Sequence, residues 1–275
     1  MPEDRDRFLA GLPQDTNEYR YLGLEDAEMI VNREYSRFLE ENKNQFVLFT
    51  HVPQSEVDKI DSNRLGRLDY HRSVQILIVN MPSLPHEEAL SIFGNLVAFK
   101  AKDMRVERLI SYRGAATTKT VERDKQADTS WAPRWPPSGR SRQWPTVALE
   151  VAYSESREKV KNDVAWWLYG SNGDVLMAIS IDIKRPSGNI YITSWERGLM
   201  PTRNHPHPDP KVVDEVKVFR GKNGQPARVE GVDLVIPFQD MLLRPANPSQ
   251  GEGDFTFTHA ELLQLAEAVW DDMEN

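Results

Sequence analysis

The sequence predicts an α/β (α+β) protein built on a mixed central sheet. Short runs rich in β-forming residues alternate with segments whose apolar residues recur at helical spacing. The middle of the chain has the order helix, strand, strand, strand, helix, strand, which is an αβββαβ core. Polar, helix-like sequence precedes this core, and an amphipathic helix closes the chain. We therefore predict an N-terminal helical extension over residues 1–65 and one domain over residues 66–275.

Composition limits the class of protein. The chain has 275 residues, which is enough to bury a core, and it has no cysteine for a disulfide scaffold, a thiolate zinc site or a cysteine nucleophile. The formal net charge is −8, so nucleic-acid binding would need a local basic patch. No apolar run is long enough for a membrane helix, and the N-terminus lacks the apolar region of a secretory signal. We expect an intracellular protein, in the nucleus or cytoplasm, that does not bind membranes.

A strand precedes the core, and a helix opens it. Residues 74–79, VQILIV, form an apolar run typical of a buried strand. A helix follows over about residues 86–102, because Pro85 suits a helix start and its apolar residues then keep helical spacing. Glu87 and Glu88 favour the positive end of the helix dipole.

The remaining elements follow from β-forming runs and capping residues. Strand candidates begin at Arg108 (RLISY), Ala127 (ADTSW), Thr146 (TVALEVAYS), Val175 (VLMAISIDI) and Ile190 (IYITSW). Between the third and fourth lies a helix that Ser154 or Ser156 caps and that ends near Gly170. Thr258 caps the final helix, which runs to about Met273.

Two acids stand on the second and third core strands. If those strands are neighbours, the side chains of Asp128 and Glu150 can face the same point. Two carboxylates with water and a phosphate oxygen form a ligand set that suits Mg²⁺. Residue 152 shares the face of Glu150, whereas Val151 points away and can offer only its backbone carbonyl. The alternative is that each acid forms a structural ion pair with an arginine or lysine.

Three segments carry a family resemblance. ADTSW, PTVALEVAYSES and NDVAWWLYGSNGDV resemble the PD-(D/E)XK nuclease-like superfamily, and most closely an uncharacterised fungal group within it. The resemblance covers about residues 75–272. It implies a restriction-endonuclease-like fold and metal-dependent cleavage of nucleic acid, with Asp128 as the first motif acid and Glu150 as the second. It also implies Mg²⁺ or Mn²⁺ as the cofactor, favours DNA over RNA, and allows a homodimer.

The sequence departs from the family pattern at one important position. The family lysine belongs two residues after the second acid, where this chain has Ala152. In some members an amine from the following helix replaces it. We predict Lys161 for this role rather than Lys159, because Lys161 flanks the apolar face of that helix. Glu87 matches a further acid that some members supply from the first helix.

The loop between the two acid-bearing strands is basic and aromatic. It carries Arg134, Arg140 and Arg142 and no acid, and Trp135 and Trp144 lie on either side of the last two arginines. Arginines among aromatic residues suit phosphate contact and base stacking, so we predict a nucleic-acid contact in this loop. The alternative is that the tryptophans simply pack on the body of the domain.

Three functions remain open from the sequence, and the last is a protein-interaction module in which the N-terminal helices and the C-terminal helix make the contacts. The first is a Mg²⁺-dependent nuclease, acting on DNA or RNA. The second is a catalytically inactive protein of the same fold that binds nucleic acid or another protein, since position 152 lacks the motif lysine.

Overall fold

The chain divides into two compact units. The structure, a computed structural model, describes residues 2–41, 43–60, 62–153, 157–222 and 224–274. The N-terminal unit comprises Met1–Ser83 and Ala115–Ala127, and the C-terminal unit comprises Leu84–Gly114 and Asp128–Asn275. This division differs from the predicted boundary at residue 65, because strands beyond that point pair within the N-terminal unit.

Helices and strands alternate irregularly along the chain. The first are α1 (Pro2–Leu9), β1 (Asn17–Arg20), α2 (Leu24–Glu40), β2 (Phe46–Thr50), α3 (Gln54–Val57), α4 (Ser62–Leu65), β3 (Arg67–His71), β4 (Ile76–Asn80), α5 (Leu84–Asp103), β5 (Ile110–Tyr112), β6 (Thr117–Lys119) and β7 (Arg123–Gln126). Then follow β8 (Thr129–Pro133), β9 (Val147–Tyr153), α6 (Glu158–Gly170), β10 (Met177–Ile183), β11 (Ile190–Glu196), β12 (Lys211–Phe219), β13 (Arg228–Glu230), β14 (Leu234–Ile236), α7 (Phe238–Leu242), β15 (Phe255–Phe257) and α8 (His259–Glu274).

The N-terminal unit is built on a six-stranded sheet, in the order β1-β2-β4-β3-β7-β6. Strands β1 and β2 are parallel, and the other neighbours are antiparallel. The predicted helical extension over residues 1–65 is therefore corrected, since β1 and β2 lie within it. The reason is the apolar run Val47–Phe49, which is buried between β1 and β4. A run this short has no periodicity that separates a strand from a helix.

The C-terminal unit contains the predicted mixed central sheet. Its seven strands have the order β13-β12-β11-β10-β9-β8-β5. Strands β9 and β10 are parallel, and the other neighbours are antiparallel. Along the chain, α5, β5, β8, β9, α6 and β10 follow one another among the elements of this unit, so the αβββαβ order is confirmed.

The two faces of this sheet are covered by different helices. Leu149 and Val151 of β9 belong to a buried apolar cluster that also contains residues of α5 and α8. Helix α6 contacts β9 and β10, and its Trp167 bonds Glu150. Because side chains alternate along a strand, Glu150 faces α6 while its neighbours face α5 and α8.

The predicted ends of the long helices agree with the structure to within about two residues. The predicted caps of α6, Ser154 and Ser156, lie outside the described residues. Within the part of the chain that the structure describes, no helix combines the length and apolarity needed to cross a lipid bilayer.

Candidate active site

The sheet register places the backbones of the two predicted acids side by side. Strands β8 and β9 are antiparallel neighbours, with Thr129 opposite Leu149. Asp128, which precedes Thr129, therefore lies beside Glu150, which follows Leu149. Both acids are buried. This neighbourhood is the condition on which a shared site for the two carboxylates depends.

Asp128 links two strands and a helix. Its Oδ2 accepts a hydrogen bond from the backbone N–H of Val151 at 2.7 Å, and it lies 3.2 Å from Nε2 of His86 in the first turn of α5. A buried carboxylate with these two neighbours has a fixed position. The structure thus places a histidine beside Asp128.

His86 is a site residue that the sequence prediction does not include. Its side chain is fully buried, and its Nδ1 lies 3.3 Å from Oε1 of Glu87. Burial lowers the pKa of His86, but the charges and hydrogen bonds of Asp128 and Glu87 outweigh burial and raise the pKa to about 9. At neutral pH the ring is an imidazolium between these two acids. A histidine next to an acid at a helix start is the sequence signal that could have found it.

Glu150 is held by the helix that follows its strand. Its Oε1 accepts a hydrogen bond from Nε1 of Trp167 at 2.5 Å. Trp167 is completely buried on α6, where it packs against Trp166 and Trp144. The indole therefore fixes the orientation of the carboxylate from the α6 side of the sheet.

The two lysines of α6 lie on different sides from those expected. Lys159 is buried, and its Nζ lies 2.6 Å from both carboxylate oxygens of Asp163. Lys161 is 40% exposed, and its Nζ lies 2.9 Å from Oδ1 of Asp209. Residues 159, 163 and 167 are four apart and share one side of the helix, whereas two residues of helix rotate a side chain by about 200°. Lys159, rather than Lys161, therefore shares the side of α6 from which Trp167 reaches Glu150.

The position of the missing motif lysine has charged neighbours. Ala152 on β9 pairs with Asp182 on β10, so the two share a face of the sheet. Asp182 is fully buried, with Nζ of Lys184 at 2.7 Å and Nε of Arg157 at 3.4 Å. Burial raises the pKa of Asp182, although both cations act to lower it. The sequence prediction does not include this cluster of charges. Its sequence signal is Asp182, the lone acid in the apolar run of β10.

The donor set suits a hard divalent cation in kind. Carboxylate oxygens of Asp128 and Glu150, with the carbonyl of Val151, are the ligands that Mg²⁺ accepts alongside water. The described residues hold no group of three or more Asp, Glu, His or Cys side chains placed to bind a metal ion. An ion at this site would therefore bind two carboxylates, with a carbonyl, water and a substrate oxygen as its other ligands.

The basic loop before β9 divides between structural and exposed arginines. Arg140 is only 11% exposed, pairs with the carboxylate of Asp174 and donates to backbone carbonyls, so the contact predicted for it is replaced by a structural role. Arg134 and Arg142 are exposed, and they stay candidates for nucleic-acid contact. Trp144 packs on α6, as the structural alternative predicted, whereas Trp135 is exposed.

Comparisons with known proteins give little about identity. No known family profile and no curated protein matches the chain. A similar solved structure is the "putative nuclease belonging to DUF820" from Anabaena variabilis, with 13% sequence identity and a TM-score of 0.43. The match covers 78% of this chain and 99% of that one. Values this low establish neither a shared family nor a shared activity, and the fungal resemblance stays a prediction.

Proposed function

We propose that the protein is a metal-dependent nuclease that hydrolyses phosphodiester bonds of nucleic acid. The observation that supports this most strongly is the burial of Asp128, directly before β8, beside Glu150 on β9. Burying two carboxylates side by side is costly unless cations or hydrogen bonds compensate them. A divalent ion is the compensation that would also give the pair a chemical use.

Each side chain has a proposed task. Asp128 and Glu150, with the carbonyl of Val151, would hold Mg²⁺ or Mn²⁺, and the ion supplies activation of water and stabilisation of developing charge. His86 and Trp167 position the two carboxylates, His86 through its contact with Asp128 and Trp167 through its hydrogen bond to Glu150.

Lys159 replaces Lys161 as the proposed amine. Its charge is buried, and a buried cation stabilises developing negative charge more strongly than one in water. Glu87 is 43% exposed and contacts His86, so we propose that it acts on Asp128 through that ring rather than as a ligand.

The test is cleavage of supercoiled, linear and single-stranded DNA, and of RNA, with Mg²⁺, with Mn²⁺ and with EDTA. We expect metal-dependent cleavage that falls at least about 100-fold in Glu150→Gln and in Asp128→Asn. Lys159→Met should lower cleavage strongly, and Lys161→Met should leave it near the wild-type rate. Cleavage that survives in EDTA or in Glu150→Gln would contradict the proposal.

A specific observation favours the catalytically inactive alternative. Ala152 stands at the motif lysine position, and the imidazolium of His86 already compensates Asp128. In this case the fold would bind nucleic acid or a protein without hydrolysis. The protein would then bind nucleic acid in EDTA, and added Mn²⁺ would produce no cleavage.

The preference for DNA, the homodimer and the location in the cell stay predictions. A preference for DNA over RNA is tested by the same series of substrates. A homodimer is tested by the mass of the protein in solution, and a nuclear or cytoplasmic location by imaging the tagged protein in its own cells.

A further inference from the structure

A basic pocket lies at the edge of the seven-stranded sheet, where β12 ends. Its volume is about 320 Å³, and we call it the Phe219 pocket after the aromatic ring in its wall. Arg220, Lys222 and Arg228 line it together with the amide side chains of Asn189 and Gln225. The described residues that line it include no acid, although the whole chain carries a net charge of −8. Three cations thus line the pocket of an acidic protein, and two of them, Arg220 and Arg228, also pair with acids outside the lining.

Arg220 is held in place in the wall of the Phe219 pocket. The side chain of Arg220 packs so closely on Gly188 that a Cβ there would lie 2.7 Å from its Cδ. Its guanidinium lies over the Trp270 ring, 5.8 Å from the centroid, and pairs with Glu274. The backbone N–H of Arg220 donates to Oδ1 of Asn189 at 3.3 Å.

Arg228 forms the wall of the pocket with Phe219. Its guanidinium lies 4.4 Å from the centre of the Phe219 ring, and its Nε lies 3.0 Å from Oε1 of Glu230. A guanidinium stacked on a phenyl ring presents a flat, charged surface, on which a nucleic-acid base can stack. Lys222 is exposed beside this surface, where it can reach a phosphate.

The pocket and Glu150 share one face of the sheet. Glu150 pairs with Ser180, and Ser180 pairs with Thr193, so these three side chains point to the same side. Tyr191 lies two residues from Thr193 on the same strand, so it shares this face. Its ring contacts the ring of Phe219, with the centroids 6.5 Å apart. Neighbouring strands are about 4.8 Å apart, so β9 and β12 are separated by about 14 Å.

A further arginine lies along the same path. Arg157 is 38% exposed, and its guanidinium lies 4.9 Å from the centre of the Tyr191 ring. It also pairs with Glu215 at 2.5 Å. Arginine and aromatic side chains thus continue from the Phe219 pocket towards Glu150 on the same face.

We propose that the Phe219 pocket binds one nucleotide of a single-stranded nucleic acid and directs the strand towards Glu150. The phosphate contacts Arg220, Lys222 and Arg228, and the base stacks on the arginine–phenylalanine pair. Stacking on this pair requires a base that is not stacked on its neighbours, which a duplex does not offer. The choice of nucleic acid as the ligand rests on the proposed function.

Binding is tested with a fluorescein-labelled oligothymidylate of about a dozen nucleotides, followed by fluorescence anisotropy in EDTA. Arg228→Glu should weaken binding on the order of tenfold at low salt and reduce the slope of log K against log salt by about 0.7. Lys222→Glu should also weaken binding of the oligothymidylate.

Lys211→Glu is the matched control. Lys211 lies at the other end of β12, its side chain is 64% exposed against 65% for Arg228, and it pairs with Glu196 as Arg228 pairs with Glu230. Lys211→Glu makes the same change in net charge as Arg228→Glu, and this variant should bind the oligothymidylate like the wild type. Equal affinities for Arg228→Glu and the wild type, or equal losses in both variants, would overturn the proposal.

Two competition experiments decide the form of the ligand. A duplex of the same length and thymidine monophosphate should both compete much more weakly than the unlabelled oligothymidylate. Equal competition by the duplex would overturn the single-strand assignment, and equal competition by the monophosphate would give the pocket to a free nucleotide instead. Binding is measured without metal, so the two proposals can fail separately. The pocket proposal fails if Arg228→Glu does not weaken binding, even when cleavage depends on Glu150. The nuclease proposal fails if no cleavage occurs, even when Arg228→Glu weakens binding.

Discussion

Buried charges around Glu150 depend on near neighbours. Lys159 contacts Asp163 at 2.6 Å, and Asp182 contacts Lys184 at 2.7 Å. In a dry environment the loss of one partner leaves the other charge without compensation, which costs far more than the loss of an exposed pair. The lysines of α6 provide a direct comparison, because one forms a buried pair and the other an exposed pair.

Asp163→Asn is expected to lower the free energy of unfolding by about 3 kcal/mol, because it removes the carboxylate that pairs with the buried ammonium of Lys159. Asp209→Asn removes the partner of Lys161 from a pair that is 40% and 79% exposed, and should cost less than about 1 kcal/mol. Urea unfolding measures both. Equal costs would show that Lys159 is not the buried lysine.

The pH dependence of stability tests the His86 contact. The folded pKa of about 9 lies above the ordinary value of 6.5, so protonation favours the folded state. This stabilisation is complete below about pH 6.5 and is lost as the pH rises through 9. The free energy of unfolding, measured in EDTA, should therefore fall over this range in the wild type and fall less in His86→Gln. Parallel curves for the two proteins would contradict this assignment.

At the scale of elements, local sequence patterns are most informative where helices and buried strands are long. The apolar run of β10 and the cap of α8 predict their elements well, because periodicity and capping are local properties. The predicted apolar face of α6 is buried, but the prediction that Lys161 rather than Lys159 points inward was wrong, since Lys159 and Asp163 are polar and yet buried. Their mutual ion pair, which only the folded helix shows, makes that burial possible.

Close strand packing also requires a glycine at one position, and local sequence patterns do not show this requirement. Gly231 has φ +112°, and a Cβ there would lie 2.2 Å from the backbone oxygen of Glu215. Gly231→Ala should therefore destabilise the protein by a few kcal/mol, through both the strained φ and the clash. Gly251→Ala, with φ +79° and open space, should cost about 1 kcal/mol. Equal midpoints of thermal unfolding for the two variants would contradict the close packing of β12 at Gly231.

At the scale of the whole molecule, the main feature that sequence reasoning missed is the N-terminal unit. Its sheet joins β1 and β2 to β6 and β7, which are far away in the sequence. Pairings of this kind depend on long-range contacts that no local pattern carries. The acids of the candidate site were easier to predict, because their strands are joined by a single loop.

Removal of residues 1–65 tests this division. The deletion takes away β1 and β2 and leaves β4, with its buried Leu77 and Val79, as an uncovered edge. We expect aggregation, because an apolar edge strand pairs with other chains. Soluble yield and size-exclusion chromatography against the full chain measure it. A soluble, monomeric product would show that residues 1–65 are a dispensable extension.

Binding of Mn²⁺ tests most directly whether Asp128 and Glu150 act together on one ion. Calorimetric titration of the full chain should give one site, and Asp128→Asn and Glu150→Gln should each abolish it while the fold is retained by circular dichroism. Undiminished Mn²⁺ binding in either variant, or no binding to the wild type, would contradict a shared metal site.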